Sequence, residues 1–107
     1  MLSMRSACMP ELSIYRQHNP LIGDGMEGLH TFVARLMASH PDAHGEIKRV
    51  FRDGDYVILH SQWHGLSDNP RGGAVVDIYR SENGEVVEHW DVIQPIPETA
   101  ANNNTMF

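Results

Sequence analysis

The sequence predicts an α+β fold in which a meander of four antiparallel strands packs on one helix. Three observations predict it. Four runs in the second part of the chain, at 46–51, 56–64, 74–80 and 86–94, read as strands, with turn residues between them. One earlier stretch, about 25–39, repeats its apolar residues at helical spacing. Short polar connections, Asp53-Gly54 and Asn83-Gly84 above all, are the dipeptides that close hairpins.

Residues 1–9 carry Met1, Met4 and Met9 at no regular period, so a frayed start is expected. Pro10 can open a short helical turn through Glu11-Leu12-Ser13-Ile14-Tyr15. The segment Gln17-His18-Asn19-Pro20 then breaks any helix, because the residue before proline avoids the α region. The main helix starts after Asp24, whose carboxylate can cap free N–H groups while Glu27 reaches back as in a capping box. Met26, Leu29, Val33, Leu36 and Met37 make its apolar stripe, with Phe32 at the edge. His40-Pro41 stops it. Segment 46–51 alternates charged and apolar residues, and 56–64 returns beside it. Residues 65–73 form a loop around Asn69-Pro70 and Gly72-Gly73, before the strands 74–80 and 86–94. After Pro95 and Pro97 a polar tail, 98–107, ends in Met106-Phe107, so either an apolar tip docked on a partner subunit or a disordered end is expected.

The 107 residues suit one domain, taken as 1–107. A formal charge of −6, with no Lys/Arg cluster, argues against nucleic acid, which needs a basic face. No apolar run is long enough for a bilayer, and the start lacks a charged-then-apolar signal pattern. Cys8 is the only cysteine and cannot close an intrachain disulfide, so a reducing cytoplasm is expected.

Seven histidines invite a metal reading. His60 and His64 are four apart, but in a strand four residues span roughly 13 Å. Two imidazoles so placed cannot share a zinc ion at bonds of about 2 Å. His40 and His44 flank Pro41 with no further ligand near them in sequence, so the expected metal site is none. Nucleophilic catalysis is weaker still. Cys8 lies in the frayed start, Ser61 has no nucleophile-elbow glycines, and no Gly-rich loop joins a strand to a helix.

Acid–base chemistry remains. With a three-residue loop at Glu82-Asn83-Gly84, Asp77 lies opposite His89 and Val75 opposite Asp91. The period of two then puts Asp77, His89 and Asp91 on one face. A carboxylate beside an imidazole orients the ring and favours its charged form, or the carboxylate is itself the base. A two-residue Asn83-Gly84 loop would instead slip the pairing and separate Asp77 from the other two. The plain alternative is an ordinary cross-strand pair contributing about 0.2–1 kcal/mol to the sheet.

The order Gln17-His18-Asn19-Pro20, Asp24-Gly25, Val75-Val76-Asp77-Ile78-Tyr79-Arg80, Asn83-Gly84 and Glu88-His89-Trp90-Asp91-Val92 resembles SnoaL-like polyketide cyclase domains. These belong to the nuclear transport factor 2-like superfamily, and the resemblance covers about Tyr15 to Phe107. It implies a cone-shaped, strongly curved antiparallel sheet wrapped on helices around a pocket. It also implies aldol condensation, cyclisation or isomerisation of a small hydrophobic or polyketide-like molecule, without cofactor. A non-catalytic ligand-binding or dimerisation module of the same fold is the alternative. Asp91 is then the pocket acid/base, tuned by Asp77 and His89. Gln17 or Asn19 supplies an amide, and His18 or His60 stabilises a developing enolate. Trp63 and Trp90 complete the expected substrate-binding set. Only fourteen residues precede Tyr15, fewer than the family's usual opening helices need. A homodimer packed through the outer sheet face is therefore expected.

Overall fold

The computed structural model describes residues 15–107. Its elements run β1 Arg16–Gln17, α1 Gly25–Ser39, β2 His44–Asp53, β3 Tyr56–His64, β4 Gly73–Glu82 and β5 Glu85–Pro95. They form an α+β arrangement of one helix and a five-stranded sheet in the order β1-β5-β4-β3-β2. The expected meander is β2 to β5. Two corrections follow. The sheet is mixed, because β1 pairs parallel to β5 through Arg16↔Glu88 and Gln17↔His89. It is also open, with β1 and β2 as edges, rather than a closed cone. The turn expected over 10–15 lies outside the described residues except for Tyr15, which is not helical.

Both long hairpins close on two-residue turns and then take in one extra residue. The first turn is Gly54-Asp55, shifted by one from the Asp53-Gly54 expected, and Asp53 pairs with Tyr56. The second is Asn83-Gly84, with φ of 52° and 80°, the pair of positive values that suits the right-handed twist of the flanking strands. In β2 the extra residue is Lys48, between Ile47↔Ser61 and Arg49↔His60. In β5 it is Val87, between Val86↔Ser81 and Glu88↔Arg80. Each such bulge changes which side chains share a face.

Helix α1 has the expected span, and His40 ends it with its N–H on the Leu36 carbonyl. The expected capping box is absent, since Asp24 makes no side-chain cap. Its Oδ1 instead accepts the Gln17 N–H at 2.9 Å, and Gly25 N–H donates to the Tyr15 carbonyl at 2.9 Å. The helix start is thereby tied to β1. Met26, Leu29, Phe32 and Leu36 are half-buried, Val33 and Met37 are exposed, and no residue of α1 is fully buried. The expected packing of sheet on helix is therefore light. No helix among the described residues is long and apolar enough to cross a membrane.

Among the described residues the buried apolar ones are Tyr15, Val75 and Val86, with Met26 and Tyr79 packed against Tyr15 and Val86. Buried polar residues are Asn19, Ser61, Asp77 and His89. The best-buried region is thus as polar as it is apolar. Edge strand β2 is exposed along its whole length, and Lys48, Arg49 and Arg52 discourage further strand pairing there.

The β4–β5 turn yields a direct test. Gly84→Ala should lower stability by about 1–2 kcal/mol, the cost of a side chain in the left-handed region. Asn83→Gly should be close to neutral, because glycine accepts φ > 0 freely. Urea unfolding, read as a midpoint shift at constant slope, measures both.

Candidate functional site

The Val87 bulge decides the site. With the two-residue turn alone, Asp77 would pair with Trp90 and leave His89 and Asp91 on the other face. The extra residue restores the parity, so Asp77 lies opposite Asp91 and Tyr79 opposite His89. The three acid–base residues share a face as expected, but through different pairs from those a three-residue loop would give. This face also carries buried Val75 and Ser61, and we call it the core face.

Two carboxylates directly opposite each other repel. His89 relieves that repulsion from the diagonal position. Its Nε2 is 2.8 Å from Asp77 Oδ1 and 3.9 Å from Asp91 Oδ2. Its Nδ1 is 2.8 Å from Gln17 Oε1, on the register partner of His89 in β1. The Gln17 oxygen is fixed as an acceptor because the Asn19 backbone N–H also donates to it, at 3.0 Å. His89 Nδ1 must therefore donate, and its Nε2 faces the carboxylates. Tyr79 stacks on the ring with centroids 4.7 Å apart.

Asp91 is held differently. Asn19 Nδ2 donates to both of its oxygens, at 2.8 and 3.0 Å. Asn19 is itself buried, and its Oδ1 accepts the Leu21 N–H at 2.9 Å. Pro20 ends the extended segment beside it, so the Gln17-His18-Asn19-Pro20 segment delivers two amides to one site. Tyr15 lies beside the cluster at 3% exposure. Burial pushes its phenol up to about 12, against a lowering from the nearby Gln17 amide. That amide still falls short of hydrogen-bond geometry, and Gln17 Nε2 is a buried donor without a partner among the described residues. Burial, with the Asp77 charge second, raises the Tyr79 phenol further. Ligand-capable atoms of Asp77, His89 and Asp91 lie within 4.8 Å of one another, so these three are also the side chains there that could hold a cation.

The other expected binding residues divide. Gln17 and Asn19 join the cluster. His18, His60 and Trp90 lie on the opposite, outer face, away from the His89 and Asp77 side chains. His18 stacks on Trp90 at 4.7 Å and 3°, and its Nε2 is 2.6 Å from Glu88 Oε2. The hydrogen bond from His18 and the Arg80 guanidinium hold the Glu88 carboxyl below its ordinary value. His60 bonds to Arg49 and stacks on Phe107 at 5.4 Å, so the apolar tail tip docks on its own sheet rather than standing free for a partner. Trp63 is on the core face, but it pairs with Gly73, four residues along β4 from Asp77. A cleft of about 530 Å³ opens on the outer face, lined by His18, Tyr56, Ile58, Ile78, Trp90 and Val92 among others. Of the acid–base cluster, Asp91 borders this cleft, whereas Asp77 and His89 do not line it.

Tyr15 and Tyr79 were missed by sequence reasoning, though period-two spacing marks both. Tyr79 is two residues from Asp77, and Tyr15 two from Gln17. Their raised phenols give a pH prediction. A neutral group favoured by folding contributes stability in full below its unfolded pKa and loses it as pH rises through the folded value. For Tyr15 that window runs from 10 to about 12. Stability should fall across it by at most about 1.4 kcal/mol per pH unit per tyrosine. Denaturant unfolding at stepped pH checks this, and Tyr15→Phe should flatten the slope.

Comparison with known proteins places the fold. A family model described as SnoaL-like domain matches residues 13–89. No curated protein sequence matches the chain. Among solved structures, TsrD from Streptomyces laurentii is similar at 22% identity and a TM-score of 0.61, over 74% of this chain and 66% of that one. A candidate polyketide cyclase from Bacillus cereus gives 22% and 0.66, over 77% and 57%. A candidate SnoaL-like polyketide cyclase from Jannaschia gives 21% and 0.63, over 83% and 68%. The chain thus spans between 57% and 68% of the length of these structures. The family match covers most of the chain, and the shared fold agrees with it: this chain belongs to the SnoaL-like domain family.

Proposed function

We propose that the core-face cluster performs acid–base chemistry of the aldol or isomerisation type on a small hydrophobic or polyketide-like carbonyl compound, with Asp91 as the base. One observation carries this reading. Asp91 is the carboxylate left outside a tight ion pair, 3.9 Å from His89, whereas Asp77 is bonded to that ring at 2.8 Å. Asn19 orients Asp91 without neutralising it. Asp91 takes a proton from the carbon beside a carbonyl, and the enolate carbon then bonds to a second carbonyl carbon. The proton returns from Asp91 to the new alkoxide oxygen, so none is gained or lost overall. Gln17 Nε2, a buried donor with no other partner among the described residues, suits a developing oxyanion. Asp77 and Gln17 fix the orientation of the His89 ring beside the base.

The test is exchange of α-protons in β-dicarbonyl compounds dissolved in deuterated water, followed by NMR. The chain should accelerate exchange for at least one compound. Asp91→Asn should reduce that acceleration by about 10²–10⁴-fold with the fold unchanged. An Asp91→Asn variant that exchanges at the unsubstituted rate would remove Asp91 from the chemistry.

Exposed apolar residues favour a second reading, an assembly or ligand-binding module. Val92 is 72% and Phe51 56% exposed on the outer face, beside Trp90 and Ile58. A homodimer through this face would cover them. Light scattering should give a dimer at micromolar concentration, shifted toward monomer by Val92→Asp. A stable monomer at that concentration would reject the dimer.

A further inference from the structure

A second ionisable group sits away from the acid–base cluster, at the open end of the β2–β3 hairpin. His44 pairs directly with His64 across the strands, and Glu46, two residues along β2, shares their face. Spacing in the sequence gave His44 no partner, because only the Lys48 bulge creates this arrangement. Without the extra residue, Gly45 would stand opposite His64, and His44 and Glu46 would point to the other side of the sheet.

We propose that His44, Glu46 and His64 form a binding site for one divalent cation of the zinc class. Their ligand-capable atoms lie within 4.8 Å of one another. A tetrahedral ion with bonds of about 2 Å needs donors about 3.3 Å apart, which small rotations of exposed side chains can supply. Three details suit a ligand set. The two imidazoles stack, with centroids 4.9 Å apart and planes at 22°. His44 Nδ1 lies 2.8 Å from the Asp42 carbonyl and so donates its proton there, leaving Nε2 as the lone-pair nitrogen. A backbone carbonyl on the far nitrogen is the usual support of a metal-bound histidine. The oxygens of Glu46 are also divided, with Oε2 on Lys48 Nζ at 3.2 Å and Oε1 3.8 Å from His64 Nε2. That Lys48 contact, with its charge, is the main cause holding the Glu46 carboxyl below its ordinary value.

The backbone beneath is held in place. A Cβ on Gly45 would come within 2.6 Å of Trp63 Cε2, so β2 passes against the indole at this point. His44 and Glu46 flank that glycine and are presented from a fixed stretch of strand. Two imidazoles and one carboxylate suit zinc, nickel or copper rather than magnesium or calcium. Three protein ligands leave one tetrahedral position for water or a group from a second molecule. A cation there would pin the end of edge strand β2 to β3.

Calorimetric titration of tag-free protein with Zn²⁺, alongside NMR of the histidine rings, tests this. One ion per chain should bind, with the ring signals of His44 and His64 moving and those of His89 unchanged. His44→Ala and His64→Ala each remove a direct ligand. Each should weaken binding beyond the roughly 10- to 100-fold that outer-shell changes cost, and Glu46→Gln should weaken it less. Circular dichroism on each variant confirms the fold. Absence of one-to-one binding would overturn the proposal, as would binding that survives the double His44→Ala, His64→Ala substitution or moves the His89 signals instead.

Discussion

One extra residue in β5 determines what this sheet can do. Side chains on a strand alternate, so inserting Val87 exchanges the faces of everything beyond it relative to β4. With the bulge, Asp77, His89, Asp91 and Tyr79 face the same side. Without it, Trp90 would stand opposite Asp77, and His89 and Asp91 would lie on the other face beside Ile58 and Ile78, so the imidazole would be left without Asp77. Lys48 does the same for β2, on the opposite face. Each extra residue forgoes part of the strand ladder and brings ionisable groups together that the turn alone would keep apart.

That grouping shapes the energetics. The described residues bury few apolar side chains, and the polar set Asn19, Ser61, Asp77 and His89 is buried to a similar degree. Burying opposed carboxylates is unfavourable unless a cation and hydrogen bonds offset it. His89 lies between the two carboxylates, while Gln17 and Asn19 satisfy the ring and Asp91. Removing one partner from such an arrangement costs about 3–5 kcal/mol, because the other charge is left buried alone. The same contacts that stabilise the sheet therefore orient the proposed base. Short β1 has a structural role beyond its two residues, since it carries one amide and lies two residues from the other.

The fold was largely legible in the sequence. Helical spacing of Met26, Leu29, Phe32 and Leu36 gave α1 its span, and Asn83-Gly84 located the second hairpin turn. Strand β1 was not legible, because two residues before a proline carry no period and parallel pairing depends on a distant strand. The shared face of Asp77, His89 and Asp91 was legible, but the reason for it was not. A two-residue turn plus a bulge and a three-residue loop preserve the same parity, yet they match different partners. His18, His60 and Trp90 were grouped with Asp91 by likeness of chemistry, and the alternation of the strands sends them to the other side. The partnership of His44 with His64 depends on a bulge at Lys48 that no local residue preference marks.

The central claim is that Asp77 and His89 form one buried, coupled pair on the face of Asp91. A double-mutant cycle on folding stability with Asp77→Ala and His89→Ala, alone and together, tests it most directly. Residues in one buried hydrogen-bonded network should show a coupling of about 2 kcal/mol. Additivity within about 0.5 kcal/mol would mean that the two side chains do not meet. The register through Val87, and the site built on it, would then be wrong.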